Sequence, residues 1–390
     1  MSAVAAPPVP VPAYGTASLA DVGPSVGALL GVPGTTDVLG LADRTGPVGR
    51  VCVLLVDGLG ADLLAAHPEQ APFLSSLSSP PDGRGVLTAG FPATTATSLG
   101  SIGTGLPPGA HGILGYLVAV PGSGVLMNAL RWDPDVDPRR WQPHETLFER
   151  AAAAGIAVRH VGPGFHNGTG LTTAVFRGAE YRPAESPGEV AALAGHAARD
   201  SGRSLVYAYH GDLDRAGHVF GVDSDAWRFQ LRHADLLAES LATALPPDAV
   251  LLVTADHGMV DVPPGSRVDV DRSPELRAGV ALLGGEARAR HVYAVPGAAG
   301  DVLDAWTAGL GDRMWVVSRE QAVADGWFGP AVPPEMLPRI GDVVAAAFGD
   351  VAVVAGDAEP LESALVGLHG SMTPAEQRVP LLLARAGAAL

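Results

Sequence analysis

Short apolar runs alternate with longer amphipathic stretches along most of the chain. The runs have the length of buried strands and lie at Val51–Val56, Ile156–Val161, Ser204–Tyr209, Val250–Thr254 and Leu381–Ala384. The stretches between them are helix-like, as at Thr146–Ala154, Gly188–Arg199 and Ala226–Ala244. Buried strands that alternate with helices are typical of a doubly wound, mostly parallel sheet flanked by helices. The pattern therefore predicts an α/β fold.

The pattern also divides the chain into three parts. Residues 1–45 are rich in Pro and Gly, which predicts an N-terminal arm. Residues 46–264 and 366–390 carry the alternating strands and helices and are predicted to form the core. Residues 265–365 are predicted to form a small α+β insertion near the site entrance, with strands at Arg290–Val295, Met314–Ser318 and Asp342–Ala347.

Acidic and histidine side chains follow three of the predicted strands. Asp57 comes directly after the first strand, the segment His210–Asp214 after the third, and the pair Asp256-His257 after the fourth. Ligands of open α/β sheets bind outside the carboxyl ends of the strands. We therefore expect these carboxylates and imidazoles to lie together at one rim of the sheet, although Asp57-Gly58 alone is also typical of an ordinary turn.

Two further motifs extend this set of side chains. Asp214 and His218 are four residues apart, and His369 lies between glycines in GLHGS. With Asp57, Asp256 and His257, they give three carboxylates and three imidazoles. Mixed nitrogen and oxygen ligands without thiolate suit Zn²⁺, Mn²⁺ or Fe. Six ligands are enough for two open sites, and a pair of metals is the standard clamp for displacement at phosphorus.

Hydroxyl side chains are concentrated in one segment, Gly90–Tyr116, which leads into a helix-like stretch. They are Thr94, Thr95, Thr97, Ser98 and Ser101. One interpretation is a Thr or Ser helix N-cap. The other is a nucleophile, because a helix N-terminus favours a phosphoryl group through its free N–H groups and its dipole.

Charge and composition exclude several classes of function. The formal net charge of −16 disfavours nucleic-acid polymers and anionic membranes as partners. A small phosphorylated substrate remains compatible, because a metal pair dominates the local field. The single cysteine, Cys52, excludes an intramolecular disulfide and lies in an apolar run, which predicts a buried thiol. No secretory signal or membrane-length apolar run is evident, so we expect a cytoplasmic protein of open oligomeric state.

Taken in order, the motifs resemble the alkaline phosphatase superfamily, and specifically its type I phosphodiesterase/nucleotide pyrophosphatase family. The resemblance extends over most of residues 49–385. It implies one metal site formed by Asp57, Asp256, His257 and a nucleophilic threonine. It implies a second formed by Asp214, His218 and His369. The expected cofactors are two divalent transition-metal ions, with Zn²⁺ favoured and Mn²⁺ or Fe as alternatives.

The resemblance also indicates which threonine attacks phosphorus. The family places its nucleophile nine residues before the threonine of a TGL-x-P segment, and counting back from Thr104 gives Thr95. Thr95 is thus expected to ligate a metal and to form a phosphothreonine intermediate. Family members usually carry an Asn three residues later as a donor to a phosphoryl oxygen. Here that position is Ser98, which is expected to bind substrate through its hydroxyl.

The charge near the predicted nucleophile bears on the substrate class. No Arg or Lys occurs between Gly85 and Leu130, and this favours a phosphate diester or phosphoanhydride over a more highly charged monoester. A phosphomonoesterase and a phosphonoacetate hydrolase-like enzyme remain alternatives. A non-catalytic metal-binding regulatory protein is an alternative of another class. The sulfatase motif is missing, and the chain is too short for the insertion of cofactor-independent phosphoglycerate mutases.

Overall fold

The computed structural model describes residues 6–77 and 85–385, which form two main sheets with helices around them. The strands are β1 (Arg50–Val56), β2 (Val86–Thr88), β3 (Leu117–Ala119), β4 (Leu126–Asn128), β5 (Ala157–Gly162), β6 (Glu180–Pro183), β7 (Ser204–His210), β8 (Ala249–Thr254), β9 (Val260–Asp261), β10 (Arg267–Asp269), β11 (Val280–Glu286), β12 (Ala289–Ala294), β13 (Met314–Ser318), β14 (Val343–Ala347), β15 (Ala352–Val354), β16 (Gly367–Leu368), β17 (Arg378–Pro380) and β18 (Leu382–Arg385). The α-helices are α1 (Val22–Leu29), α2 (Leu41–Thr45), α3 (Ala61–Ala66), α4 (Pro72–Leu77), α5 (Thr95–Thr104), α6 (Pro108–His111), α7 (Pro138–Trp141), α8 (Leu147–Ala153), α9 (Gly170–Val175), α10 (Pro187–Arg199), α11 (Asp212–Phe220), α12 (Asp225–Ala244), α13 (Pro274–Arg277), α14 (Ala299–Leu310), α15 (Arg319–Ala324) and α16 (Pro374–Gln377).

The central sheet has the strand order β18-β8-β1-β7-β5-β6. Strands β8, β1, β7, β5 and β6 are parallel, and only the edge strand β18 of this sheet runs antiparallel to its neighbour. Every residue of β8 is buried, which explains why its sequence is continuously apolar rather than alternating. Cys52 lies in β1, and burial raises the pKa of its thiol to about 12. The predicted mostly parallel, doubly wound sheet and the buried thiol are both confirmed.

The register of the central strands brings their carboxyl ends to one rim. Val56 of β1 pairs with His210 of β7, and Leu55 pairs with Thr254 of β8. The chain leaves all three strands at nearly the same level. The segments that follow therefore start next to one another.

The second sheet has the order β13-β14-β12-β11-β3-β4 and is antiparallel. The three strands expected in the insertion correspond to β12, β13 and β14. Strand β11 was not predicted, and β3 and β4 come from residues that we assigned to the core. Leu117 of β3 pairs with Gly285 of β11, so the second sheet includes part of the chain that follows α5. The insertion thus extends a hairpin of the core rather than forming a sheet of its own.

The N-terminal segment contains more structure than an arm. It forms α1 and α2, with Leu19 and Leu41 fully buried. Helix α1 packs closely on α5, because a Cβ built at Gly23 would lie 2.8 Å from the carbonyl oxygen of Ile102. The segment therefore supports the helix that carries the hydroxyl residues.

A buried ion pair joins the second sheet to the C-terminal part of the core. Arg288 follows β11 and donates two hydrogen bonds of 2.8 Å to Glu376 of α16, and both side chains are almost completely buried. Glu376 also accepts from the backbone N–H of Ser371 at 3.0 Å, two residues from His369. The pair therefore anchors the loop that carries this histidine.

We expect Glu376→Ala to lower the free energy of unfolding by about 3–5 kcal/mol, because it leaves the Arg288 charge buried without a partner. Urea denaturation measures this change. The exposed Glu275 of α13 is the control, and its replacement by Ala should change stability by no more than about 0.5 kcal/mol. Equal effects of the two substitutions would contradict the anchoring role.

Candidate active site

The loops after β1 and β8 bring Asp57, Asp256 and His257 together. The Nε2 atom of His257 lies 3.4 Å from Oδ1 of Asp57 and 3.6 Å from Oδ2 of Asp256. One potential ligand atom from each residue lies within 4.8 Å of the others. The turn after Asp57 requires glycine: Gly58 has φ +73°, and a Cβ there would lie 3.1 Å from Cα of Asp214. Gly58 thereby lets the start of α11 approach β1.

The other three predicted ligands adjoin this group. Asp214 and His218 lie one turn apart on α11, with Oδ1 and Nε2 separated by 3.3 Å. The ring of His369 stacks on that of His257 at a centroid distance of 3.5 Å. Asp214, His257 and His369 also have ligand atoms within 4.8 Å of one another, so His257 lies between the two groups. The structure brings all six residues together, while their division into two sets of three stays a prediction.

Backbone carbonyls fix the orientation of the three imidazoles. The Nδ1 atom of His218 lies 2.7 Å from the carbonyl oxygen of Gly367. The corresponding distances are 2.9 Å from His257 to Gly258 and 2.9 Å from His369 to Ala93. A ring that donates through Nδ1 presents the lone pair of Nε2, as a metal ligand requires. Burial lowers the pKa of His257 to about 3 and that of His369 well below its usual value, which keeps both rings neutral.

The three aspartates are electrostatically unbalanced without a cation. Among the described residues, Oδ1 of Asp57, Oδ1 of Asp214 and Oδ2 of Asp256 have no hydrogen-bond partner although they are buried. Burial is the main cause that raises the pKa of all three, to about 6 for Asp214, and for Asp57 and Asp214 neighbouring carboxylates raise it further. Buried charges persist when they are paired or coordinate metals. The unpartnered oxygens and the available Nε2 atoms therefore fit a pair of divalent metal ions.

Thr95 is the first residue of α5 and is exposed to the site. Its neighbours Thr94, Thr97 and Ser98 are buried, whereas Thr95 is partly exposed. Its Oγ1 atom lies 3.3 Å from Nε2 of His257. Thr94 occupies the N-cap position, and its side chain makes no capping hydrogen bond. The geometry thus favours Thr95 as a nucleophile at a helix N-terminus over the interpretation of the hydroxyls as caps.

Ser98 has a different environment from the one expected. It is fully buried, and its hydroxyl donates a 2.7 Å hydrogen bond to the carbonyl oxygen of Asp256. A hydroxyl has one proton to donate, so in this conformation Ser98 has none for a phosphoryl oxygen. Its contact with substrate stays a prediction, and the geometry indicates that it holds the Asp256 loop against α5.

Tyr209 was missed by the sequence analysis. It lies in β7, and its hydroxyl donates a hydrogen bond to Oδ2 of Asp57. Burial and the nearby aspartates raise the pKa of Tyr209 well above its usual value, so the phenol stays a donor. The only signal in the sequence was an aromatic residue with a polar tip at the end of an apolar strand.

A cavity of about 230 Å³ lies next to Thr95, His218 and His369. It is also lined by Glu286, Glu359 and Glu362, which sequence reasoning did not identify either. No arginine is among the residues described as lining it. Burial raises the pKa of Glu286 to about 8, against smaller opposing effects of the Thr94 hydroxyl and the Arg290 charge.

Comparison with known proteins identifies the family. The family model for type I phosphodiesterase/nucleotide pyrophosphatase matches residues 51–372. The chain belongs to this family. It is a metal-dependent phosphoryl hydrolase of the alkaline phosphatase superfamily, and the family is of the two-metal type. A sequence comparison with curated proteins gives no match.

Solved structures support the fold. Murine ectonucleotide pyrophosphatase/phosphodiesterase 5, an inactive variant in complex with AMP, has a TM-score of 0.68 at 19% identity, covering 85% of this chain and 87% of that one. Phosphonoacetate hydrolase from Sinorhizobium meliloti 1021, in complex with phosphonoformate, has a TM-score of 0.65 at 18% identity, covering 88% and 92%. Within the described ranges, no helix has the length and apolar character needed to cross a membrane.

Proposed function

We propose that this member of the family hydrolyses phosphate diesters or phosphoanhydrides of small molecules through a phosphothreonine on Thr95. The observation that carries the proposal is the position of the Thr95 hydroxyl, at a helix N-terminus and 3.3 Å from a ligand-type nitrogen of His257. We further propose Zn²⁺ as the metal, because imidazole and carboxylate ligands without thiolate suit it. A cytoplasmic location and the lack of nucleic-acid and membrane partners stay predictions.

One metal would be held by Asp57, Asp256 and His257 together with Thr95. The other would be held by Asp214, His218 and His369. When bound, they supply Lewis-acid activation of the nucleophile and stabilise negative charge on the phosphoryl group. Thr95 loses its proton to solvent and forms a bond from Oγ1 to phosphorus, while the bond to the leaving oxygen breaks. The free backbone N–H groups in the first turn of α5 would favour the negative charge of a phosphoryl group bonded to Thr95. Water then cleaves the phosphothreonine and restores Thr95.

Two alternatives use the same residues. Phosphonoacetate hydrolase is about as similar in fold as the phosphodiesterase, so the fold does not separate them. A phosphomonoester carries an extra charge, and phosphonoacetate carries a carboxylate, and both call for a cationic partner. The described residues that line the cavity include no arginine, and the chain contains no lysine. The diester reading is therefore preferred. A non-catalytic regulatory role does not account for the partly exposed Thr95 at the site.

We expect bis-p-nitrophenyl phosphate to be hydrolysed with a higher kcat/KM than p-nitrophenyl phosphate, and phosphonoacetate to react slowest. The reason is that the residues described as lining the cavity include no cationic side chain to offset the extra charge of the monoester or the carboxylate of phosphonoacetate. Steady-state kinetics of the zinc-loaded enzyme checks the order. A preference of tenfold or more for the monoester, about 1.4 kcal/mol in transition-state binding, would overturn the diester assignment. Metal binding without turnover of any of the three compounds would favour the regulatory role.

A further inference from the structure

We propose that Tyr14 is a positioning residue for the reaction, because its hydroxyl holds the loop that leads into the nucleophile Thr95. The inference rests on the proposed function, since it takes Thr95 as the attacking residue. Tyr14 lies in residues 6–18, before α1, and is neither a predicted metal ligand nor among the residues described as lining the cavity. Its effect on turnover is therefore exerted through the loop and not through contact with the substrate.

The loop that leads into Thr95 is fixed by contacts with distant parts of the chain. This nucleophile loop, residues 89–94, connects β2 to α5 and is irregular apart from a bridge between Ala93 and Gly370. Buried N–H and C=O groups of an irregular segment need partners from elsewhere. The carbonyl oxygen of Gly90 accepts from the side chain of Gln377 at 2.9 Å, and the N–H of Ala93 donates to Gly370 at 2.9 Å.

The Tyr14 hydroxyl supplies the partner in the middle of the nucleophile loop. It accepts a hydrogen bond of 3.0 Å from the backbone N–H of Phe91 and donates one of 2.8 Å to the carbonyl oxygen of Trp327. Burial raises the pKa of Tyr14 above its usual value, so the phenol keeps the proton that it donates. One hydroxyl thus connects the nucleophile loop to residues of the predicted insertion, four residues before Thr95.

A shift at Phe91 reaches both the nucleophile and a predicted metal ligand. The Phe91 ring is fully buried and lies at centroid distances of 5.3 Å from Trp327 and from Phe328. Two residues later, the carbonyl oxygen of Ala93 lies 2.9 Å from Nδ1 of His369. Close-packed interiors transmit displacements, so a change in the Phe91 backbone is expected to move Ala93 and the start of α5.

Two further hydrogen bonds hold the segment around Tyr14 in place. The backbone N–H of Ala13 donates to the hydroxyl of Thr88 in β2 at 2.8 Å. The indole N–H of Trp315 in β13 donates to the carbonyl oxygen of Pro7 at 2.7 Å. The segment is thus attached to β2 and to the second sheet independently of Phe91. Tyr14 can therefore serve as a fixed point for the nucleophile loop.

Tyr14→Phe tests the proposal, because it removes both hydrogen bonds and keeps the ring. We expect kcat to fall by about fivefold to a hundredfold, since misplacement of a reacting group by about 1 Å costs rates of that order. KM and metal content should stay within about twofold of the wild type. Steady-state kinetics with a nitrophenyl ester and elemental analysis measure these properties. Faster hydrogen exchange of the peptide that contains Phe91 is the expected readout that needs no turnover.

Tyr293 offers a matched control in the second sheet. Its hydroxyl accepts from the backbone N–H of Ala119 at 3.0 Å and donates to the carbonyl oxygen of Arg339 at 2.6 Å. Tyr293→Phe therefore removes the same two kinds of hydrogen bond outside the nucleophile loop. It should lower Tm and leave kcat within about twofold. Equal falls in kcat for the two variants, or an unchanged kcat in Tyr14→Phe, would overturn the positioning role.

Thr88→Val is a milder second variant that decides the question if Tyr14→Phe does not fold. It removes the hydroxyl that accepts from Ala13, next to Tyr14, and keeps the size of the side chain. We expect kcat to fall by about threefold with unchanged KM, in the same direction as for Tyr14→Phe. An unchanged kcat together with unchanged hydrogen exchange at Phe91 would overturn the proposal.

The outcomes distinguish this inference from the proposed function. Loss of the expected effect at Tyr14 leaves hydrolysis by Thr95 standing. A wild type that cleaves monoesters but no diesters would overturn the diester assignment and not the inference, because the same variants are then compared on p-nitrophenyl phosphate. A wild type that cleaves no ester would overturn both.

Discussion

Thr95→Ala is expected to reduce kcat by roughly three to six orders of magnitude, because it removes the atom that attacks phosphorus. The other six predicted metal ligands are untouched, so the variant should keep its fold and most of its metal. Thr95→Ser should retain partial activity, since the oxygen is preserved while the side chain gains rotamer freedom. Turnover of a nitrophenyl diester, metal analysis and thermal unfolding measure these three properties. In the wild type, rapid acid quench and mass spectrometry should find the phosphate on Thr95.

Thr97 provides a matched control on the same helix. It is completely buried, and its hydroxyl has no partner among the described residues, so Thr97→Ala removes the same atoms two residues away without touching the site. We expect nearly unchanged kcat. Thr94 makes no capping hydrogen bond, so Thr94→Ala should cost less stability than the about 0.5–2 kcal/mol of a lost N-cap and should leave most of the turnover. If Thr94→Ala abolished turnover while Thr95→Ala kept most of it, the nucleophile would be misassigned by one residue.

The core of the fold was predictable because its strands are buried on both faces. Val51–Val56 and Val250–Thr254 read as continuous apolar runs, and the strands β1 and β8 extend each by one residue. The predicted metal ligands Asp57, Asp256 and His257 could be identified because they follow these two strands directly. In a parallel sheet, residues that directly follow neighbouring strands lie at the same edge, where ligands bind.

The second sheet was only partly predictable. Its strand β11 alternates poorly and is only partly buried, and β3 joins it through pairing with residues about 170 positions away. Such pairing depends on tertiary contacts that leave no local signal. The short strands β3 and β4 therefore looked like a connection within the core.

The orientation of the histidine rings could not be predicted from the sequence either. The sequence indicated His218, His257 and His369 but not the carbonyls of Gly367, Gly258 and Ala93 that orient their rings. For His218 and His369 these partners come from distant segments. Ser98 illustrates the same limit, because family resemblance suggested a substrate contact, whereas its hydroxyl donates to the Asp256 carbonyl.

Removal of the metals is expected to abolish turnover and to destabilise the protein. We expect about two zinc-class ions per chain in protein purified without chelator, as counted by elemental analysis. Asp214→Ala or His369→Ala should lose one ion, and Asp57→Ala should weaken binding of the other. Metal that binds only the folded state adds about 4 kcal/mol of stability at a thousandfold excess over its Kd, so chelation should lower Tm. Protein that contains no stoichiometric transition metal would contradict the mechanism.

The pH dependence of stability tests the same centre without an activity assay. In metal-free protein, the folded-state pKa of Asp214 is raised from 3.8 to about 6, and that of Asp57 is raised well above its usual range. A carboxyl group with a raised folded-state pKa favours the folded state when protonated, so its contribution is lost as pH rises from the unfolded toward the folded value. The lowered pKa values of His257 and His369 act in the opposite direction, because these rings lose stability as pH falls. The share of the aspartates is therefore measured as the gain in stability of chelated Asp214→Asn over the chelated wild type, which should be larger at pH 8 than at pH 5. Bound metal pairs with the carboxylates and should remove or reverse this trend, whereas identical pH profiles with and without metal would show that these aspartates do not hold it.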